Sequence, residues 1–141
     1  MCKQHLVEMQ REYGAIQART AQAVAIAQGT AEEAARFCRA AGVSFPCLGD
    51  PEKQIYQSFG LPRGGWREII VEPMRAGNQA VRAGHRVSLR GSLMRHSDWF
   101  QLPGLAIVDR AGMLRYLYRS RHAGDLPSTA AVLAVLDGIG R

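Results

Sequence analysis

In the first part of the chain, segments whose apolar residues recur at helical spacing alternate with short apolar runs typical of strands. Apolar side chains recur every three or four residues from residue 2 to about 19, which predicts an amphipathic helix. The apolar run 21–28 predicts a buried strand. Thr30 and Glu33 then form a capping-box sequence that opens a second helix, which Gly42 ends.

The next stretch repeats this pattern. Residues 43–46 predict a short extended piece. Asp50 followed by Pro51 predicts a third helix, with the carboxylate as cap and the proline at the first helical position, and Gly60 closes it. Helices that alternate with strands indicate a layered α/β domain.

The end of the chain has a clear hairpin pattern. Two strands are predicted at 104–108 and 113–119, joined by an Asp/Gly turn at 109–112. A last helix is predicted from 129 to about 137, rich in alanine, valine and leucine.

Between these parts, residues 64–99 follow no regular pattern. A helix over 67–82 would be interrupted by Pro73 and Gly77. The segment holds most of the excess positive charge, carried by Arg67, Arg75, Arg82, Arg86, Arg90 and Arg95. Together with nearby tryptophans it could bind phosphate, single-stranded nucleic acid or an acidic partner, but a solvated insert is the simpler interpretation.

Composition narrows the class of protein. At 141 residues the chain fits one domain. The absence of a long apolar run and of an export-signal pattern leads us to expect a cytoplasmic protein that does not contact membranes. The net charge of +6 does not require nucleic acid as a partner. In that compartment the three cysteines are expected to be free thiols, and with four scattered histidines they build no metal motif.

Three stretches resemble the thioredoxin superfamily, and within it the peroxiredoxin-like alkyl hydroperoxide reductase and thiol-specific antioxidant (AhpC/TSA) branch. Residues 101–112 resemble its Pro-x-x-x-x-x-Asp-x-x-Gly pattern, and residues 45–61 its turn and following Tyr-x-x-Phe-Gly-Leu helix. Cys2-Lys3-Gln4-His5-Leu6 is similar to the second half of the active-site sequence Cys-x-x-Cys-x-x-x-Leu.

The resemblance implies a thioredoxin-like three-layer α/β/α sandwich over residues 1–141, with a central mixed sheet and an arginine-rich insert at about 64–99. Family members have another strand and a nucleophilic cysteine before the position of Cys2. We therefore expect a sequence truncated at its N-terminus, with the front strand missing.

Cys2 is the main candidate for chemistry. A helix N-terminus favours a thiolate, and Lys3 adds positive charge. The resemblance implies that Cys2 is the resolving or reactive thiol and that Pro103 is a cis-proline that presents backbone to substrate. Cys47, in a turn, is a candidate secondary thiol, whereas Cys38 is expected in the core. His5 could modulate Cys2, although an ordinary exposed histidine is the simpler reading.

The resemblance implies a thiol-dependent redox protein that reduces hydroperoxides or disulfides through the cysteine at the start of the first helix. Whether the chain is an enzyme depends on the missing first cysteine. The alternative is a catalytically inactive thioredoxin-like binding module. Expected partners are a peroxide or disulfide substrate, a reductant such as thioredoxin or glutathione, and a second copy of the chain in a homodimer; no cofactor is expected.

Overall fold

Five helices and four strands make up the computed structural model, which describes residues 2–65, 98, 100–122 and 124–140. The helices are α1 (Cys2–Arg11), α2 (Tyr13–Ala18), α3 (Ala31–Ala41), α4 (Gln54–Ser58) and α5 (Thr129–Ile139). The strands are β1 (Ala25–Ala27), β2 (Cys47–Gly49), β3 (Gly104–Val108) and β4 (Leu114–Arg119). The helix considered over 67–82 lies outside the described residues.

The predicted first helix is present but interrupted. It divides at Glu12, which lies between α1 and α2. Tyr13 and Ile16 from α2 are buried and form the core cluster with Ala23 and Phe45. The rings of Tyr13 and Phe45 meet edge to face, with centroids 5.3 Å apart. The apolar face read from the sequence is therefore the face that packs.

Helix α3 has the ends that its sequence predicts. The Thr30 hydroxyl accepts the Glu33 N–H, and the Glu33 carboxylate accepts the Thr30 N–H, so the capping box is confirmed. Gly42 ends the helix in the left-handed conformation at φ +70°, which glycine adopts without steric cost.

The described strands form two separate two-stranded sheets. β1 and β2 are parallel, with Ala25 opposite Cys47, and β3 and β4 are antiparallel. The single mixed sheet implied by the resemblance is thus not formed by these strands, because β1 and β3 share no hydrogen-bonded edge. The mixed helices and strands fit an α/β fold.

The extended piece predicted at 43–46 was placed too early, since the strand is β2. The side chain of Phe45 is buried in the core cluster, and pairing with β1 begins only after this residue. The main chain then pairs from Pro46 onward, whose carbonyl accepts the Ala25 N–H at 2.9 Å.

Asp50 caps α4, but the prediction that Pro51 opens the helix is wrong. The buried Asp50 carboxylate accepts the N–H groups of Gln54, Ile55 and Tyr56 at 2.9, 2.9 and 3.3 Å. Lys53 precedes the helix in the left-handed region at φ +56°. The carboxylate therefore reaches over a turn to a helix that begins four residues after it.

The hairpin is confirmed. One Asp109 carboxylate oxygen accepts the N–H groups of Ala111 and Met113, both at 2.9 Å, which fixes the turn between β3 and β4. The last helix, α5, is also present, with the Ser128 hydroxyl accepting the Ala131 N–H as its cap.

Candidate active site

Cys2 is the first residue of α1. The first turn of this helix contains no acidic residue, and Lys3 follows directly. The unpaired N–H groups of a helix N-terminus carry partial positive charge, which favours a neighbouring anion such as a thiolate. The backbone position of Cys2 therefore suits thiol chemistry.

A tight reversal of the chain joins the helix pair α1 and α2 to β1. The chain reverses after α2: the Ala21 N–H bonds the Ile16 carbonyl at 3.3 Å, and the Gln22 amide donates to the Tyr13 hydroxyl oxygen at 2.6 Å. β1 therefore runs back along the helix pair.

His5 lies one turn after Cys2 on α1 and is half-buried. Its Nε2 atom is buried without a hydrogen-bond partner among the described residues. Burial lowers the pKa of His5 below its usual value of 6.5, although the charge of Glu8 opposes the shift. His5 is therefore neutral at physiological pH and supplies no positive charge to this end of the helix.

A polar cluster around Asp98 gathers at the carboxyl ends of β1 and β2. Its carboxylate bonds Lys53 Nζ at 2.5 Å and Arg63 Nη2 at 2.9 Å. Its backbone N–H donates to the Gln28 amide oxygen at 2.9 Å, and the Gln28 amide donates back to its carbonyl at 3.4 Å. The bond from Lys53 is the main cause that lowers the pKa of Asp98. Two cations against one carboxylate leave this cluster with a net positive charge.

Sequence reasoning missed the Asp98 cluster. Asp98 lies in the segment 64–99 that was interpreted as a solvated insert. Its partners Arg63, Lys53 and Gln28 are 35 to 70 positions away, so no local pattern joins them. The sequence did offer one local hint, since the cation Lys53 directly follows the turn sequence Asp-Pro-Glu. The arginines of the insert lie outside the described residues.

Pro103 does not adopt the predicted cis form, because no peptide bond among the described residues is cis. The backbone around it is also already paired. The Leu102 N–H donates to the Pro62 carbonyl at 3.1 Å, and the Pro103 carbonyl accepts the Ser120 N–H at 3.1 Å. These bonds tie the start of β3 to its neighbours.

Cys38 and Cys47 are not free thiols, as the sequence had suggested. They form a disulfide, with Cα atoms 6.5 Å apart. Cys38 is buried, which confirms its predicted place in the core, whereas Cys47 is half-buried. The parallel pairing of β1 and β2 places Cys47 under α3, where helical spacing presents Cys38 inward. Cys47 is therefore bonded to Cys38 and is not a free secondary thiol.

Two further findings bear on the class of protein. Within residues 2–65, 98, 100–122 and 124–140, no group of three His, Cys, Asp or Glu residues is placed to hold a metal ion. None of the helices in the same part of the chain combines the length and the apolar character needed to cross a membrane.

Comparison with known protein families gives one decisive match. A family model described as AhpC/TSA antioxidant enzyme matches residues 8–122. The chain belongs to the AhpC/TSA antioxidant enzyme family. This confirms the resemblance drawn from the sequence, and it places the chain among thiol-dependent antioxidant and redox proteins of the thioredoxin superfamily. Neither the curated proteins nor the solved structures compared with the chain give a match.

The extent of the AhpC/TSA match also matters for the site. It includes Cys38, Cys47 and Pro103 but begins after Cys2. Family membership therefore supports redox chemistry for the protein as a whole without assigning it to one cysteine.

Proposed function

We propose that the protein is a thiol-dependent oxidoreductase of the peroxiredoxin-like type, with Cys2 as its reactive thiol. The observation that carries the proposal is the position of Cys2 at the N-terminus of α1, in a first turn without acidic residues and beside Lys3. Helix N-termini and neighbouring cations are the settings that favour reactive thiolates.

The reaction follows from thiolate chemistry. The Cys2 thiolate attacks one oxygen of a hydroperoxide, the O–O bond breaks, and the products are a Cys2 sulfenic acid and an alcohol or water. A thiol donor such as glutathione or thioredoxin then condenses with the sulfenic acid, releasing water and forming a mixed disulfide. A second thiol of the donor resolves this disulfide and restores Cys2.

A cysteine three residues before Cys2 in the native protein would change this assignment. That upstream cysteine would be the peroxide-reactive nucleophile, and Cys2 would resolve its sulfenic acid to an internal disulfide. Mass spectrometry of the endogenous chain distinguishes the two roles, because peptides that extend upstream of Met1 would carry the additional cysteine.

The central test is hydroperoxide consumption coupled to thioredoxin or glutathione. We expect Cys2→Ser to reduce the rate to the uncatalysed background, because serine provides no thiolate. The matched control is the double variant Cys38→Ala/Cys47→Ala, which removes the other two cysteines and should keep the activity. Equal rates for Cys2→Ser and the unsubstituted protein would refute the role of Cys2.

The second candidate function is a thioredoxin-like binding module without turnover. It is favoured by one observation, namely that the family match begins at residue 8 and does not cover Cys2. In that case the endogenous protein would consume no hydroperoxide and reduce no disulfide with either donor, and Cys2 would react with alkylating reagents no faster than an ordinary thiol.

A further inference from the structure

The Cys38–Cys47 disulfide joins the last turn of α3 to the first residue of β2. Only nine positions separate the two cysteines, and the segment between them contains the Gly42 helix end and the buried Phe45. The bond therefore closes a small ring around the turn that brings β2 onto α3.

The two sulfur atoms differ in accessibility. Cys38 has 4% of its surface exposed and lies on the inner face of α3 with Ala34. Cys47, by contrast, is only half-buried. Of the two cysteines, Cys47 is therefore the one that is more open to a thiolate from solution.

The reduced state would also fit this site. A buried cysteine thiol packs as a small apolar residue, so Cys38 could stay beside Ala34 without a partner. β2 would still hold its parallel pairing with β1 over three residue pairs. Opening the disulfide therefore does not require the domain to unfold.

From this geometry we infer that Cys38 and Cys47 are a second redox site, a dithiol–disulfide couple that exchanges with a thiol reductant through the sulfur of Cys47. The ligand class is a small thiol such as glutathione or the dithiol of a reductase. The couple is distinct from the peroxide chemistry proposed for Cys2, and it does not depend on that proposal.

The exchange is a balanced two-electron reaction. The thiolate of the reductant attacks Cys47 Sγ, the protein S–S bond breaks, and Cys38 leaves as a thiolate that takes up a proton. A second reductant thiol then attacks the mixed disulfide, releasing Cys47 and forming the oxidised reductant. The protein gains two electrons and two protons, and the reductant loses them.

Cys2 is not placed to take part. The Gln10 amide oxygen accepts the Ser44 N–H at 2.7 Å, so the turn before Cys47 packs against the later part of α1. Cys2 lies eight residues earlier in that helix, about 12 Å away along its axis. The proposed reductant for the pair is therefore a thiol other than Cys2.

A redox titration tests the inference on the full chain. The folded protein and its Cys2→Ala variant are equilibrated in glutathione buffers of stepped ratio, quenched with acid and labelled with a maleimide, and the labels are counted by mass spectrometry. We expect two thiols of the Cys38–Cys47 pair to appear together, in one two-electron transition and at the same ratio in both proteins, while circular dichroism still reports a folded chain.

Two single variants test whether the reductant attacks the sulfur of Cys47 or that of Cys38. With Cys38→Ala, the remaining Cys47 should form a glutathione adduct about tenfold faster than Cys38 does in the Cys47→Ala variant, because Cys47 is the less buried of the two. Oxidised glutathione supplies the adduct in both cases. Equal rates, or a faster reaction of Cys38, would overturn the assignment of Cys47.

Two outcomes of the titration would contradict the proposal that Cys38 and Cys47 form a redox site. Labels that appear only at denaturant concentrations that unfold the chain would make the disulfide a purely structural cross-link. A transition that shifts between the unsubstituted protein and Cys2→Ala would mean that Cys2 belongs to the couple. Neither result depends on whether the protein consumes peroxide, so failure here is separate from failure of the proposed function.

Discussion

Cys2 and Cys38 occupy opposite ends of comparable helices. Cys2 begins α1, where unpaired N–H groups favour a thiolate, whereas Cys38 lies in the last turn of α3, where carbonyl groups disfavour one. Cys38 is also buried and bonded to Cys47. The difference teaches that cysteines of one chain can lie in opposite electrostatic surroundings, depending on which end of a helix holds them.

The largest expected effect concerns the cross-linked region. Closing a ring of about ten residues restricts the unfolded chain, so the Cys38→Ala/Cys47→Ala variant should lose about 2 to 3 kcal/mol of unfolding free energy without reductant. Urea unfolding followed by circular dichroism measures this loss. Cys2→Ala serves as the control and should change stability by less than about 0.5 kcal/mol. An unchanged urea midpoint in the double variant would mean that the bond does not form in solution.

The next effect compares the two thiols directly. In the fully reduced protein below pH 7, Cys2 should react with iodoacetamide at least about tenfold faster than Cys38. The helix N-terminus favours the thiolate of Cys2, whereas Cys38 is buried. Peptide mass spectrometry after timed quenching gives both rates from one sample. If Cys38 reacts as fast as Cys2, the contrast between the helix ends is wrong.

A smaller effect is expected from changing the charge next to Cys2 at the N-terminus of α1. Lys3→Glu replaces a positive by a negative charge in the first turn of α1. Charges near a helix end contribute about 0.3 to 1 kcal/mol, so alkylation of Cys2 should slow by about two- to fivefold. Lys3→Gln should give an intermediate rate at low salt, and both differences should shrink as salt is added. A salt-independent effect would point to local unfolding instead of charge.

The smallest effect comes from His5. Its folded pKa is lowered by burial, so below pH 6.5 the unfolded chain binds more protons than the folded one. The contribution of neutral His5 is therefore fully present above that pH and is lost as the pH falls through the window below it. His5→Gln should flatten this decline in urea-unfolding experiments across the acidic range. Glu8→Gln removes the opposing charge and should make the decline steeper.

Local signals in the sequence predicted the parts of the fold that neighbouring residues determine. The capping box of Thr30 and Glu33, the Gly42 helix end and the turn at Asp109 each depend on side chains within a few positions. Their hydrogen bonds form between the residues that carry the pattern. For the same reason the sequence located the hairpin and the last helix closely.

Features that depend on distant contacts were missed. The disulfide needs α3 and β2 to pack together, and nothing in a nine-residue spacing distinguishes a bonded pair from two free thiols. Asp98 meets Lys53 and Gln28 only after the chain has folded. The cis form of Pro103 was carried over from the resemblance alone, and the pairing of Leu102 with Pro62 accompanies the trans form instead.

Gly49 restricts how β2 can pack against the start of α3, whether the Cys38–Cys47 disulfide is formed or reduced. A methyl group there would lie 2.5 Å from the Thr30 carbonyl carbon, so only a residue without a side chain fits beneath the start of α3. Because side chains alternate along a strand, slipping β2 by one position would force Leu48 or Asp50 into that space. β2 therefore keeps the same register when the disulfide is reduced. Cys47 then stays opposite Cys38, so the disulfide can form again.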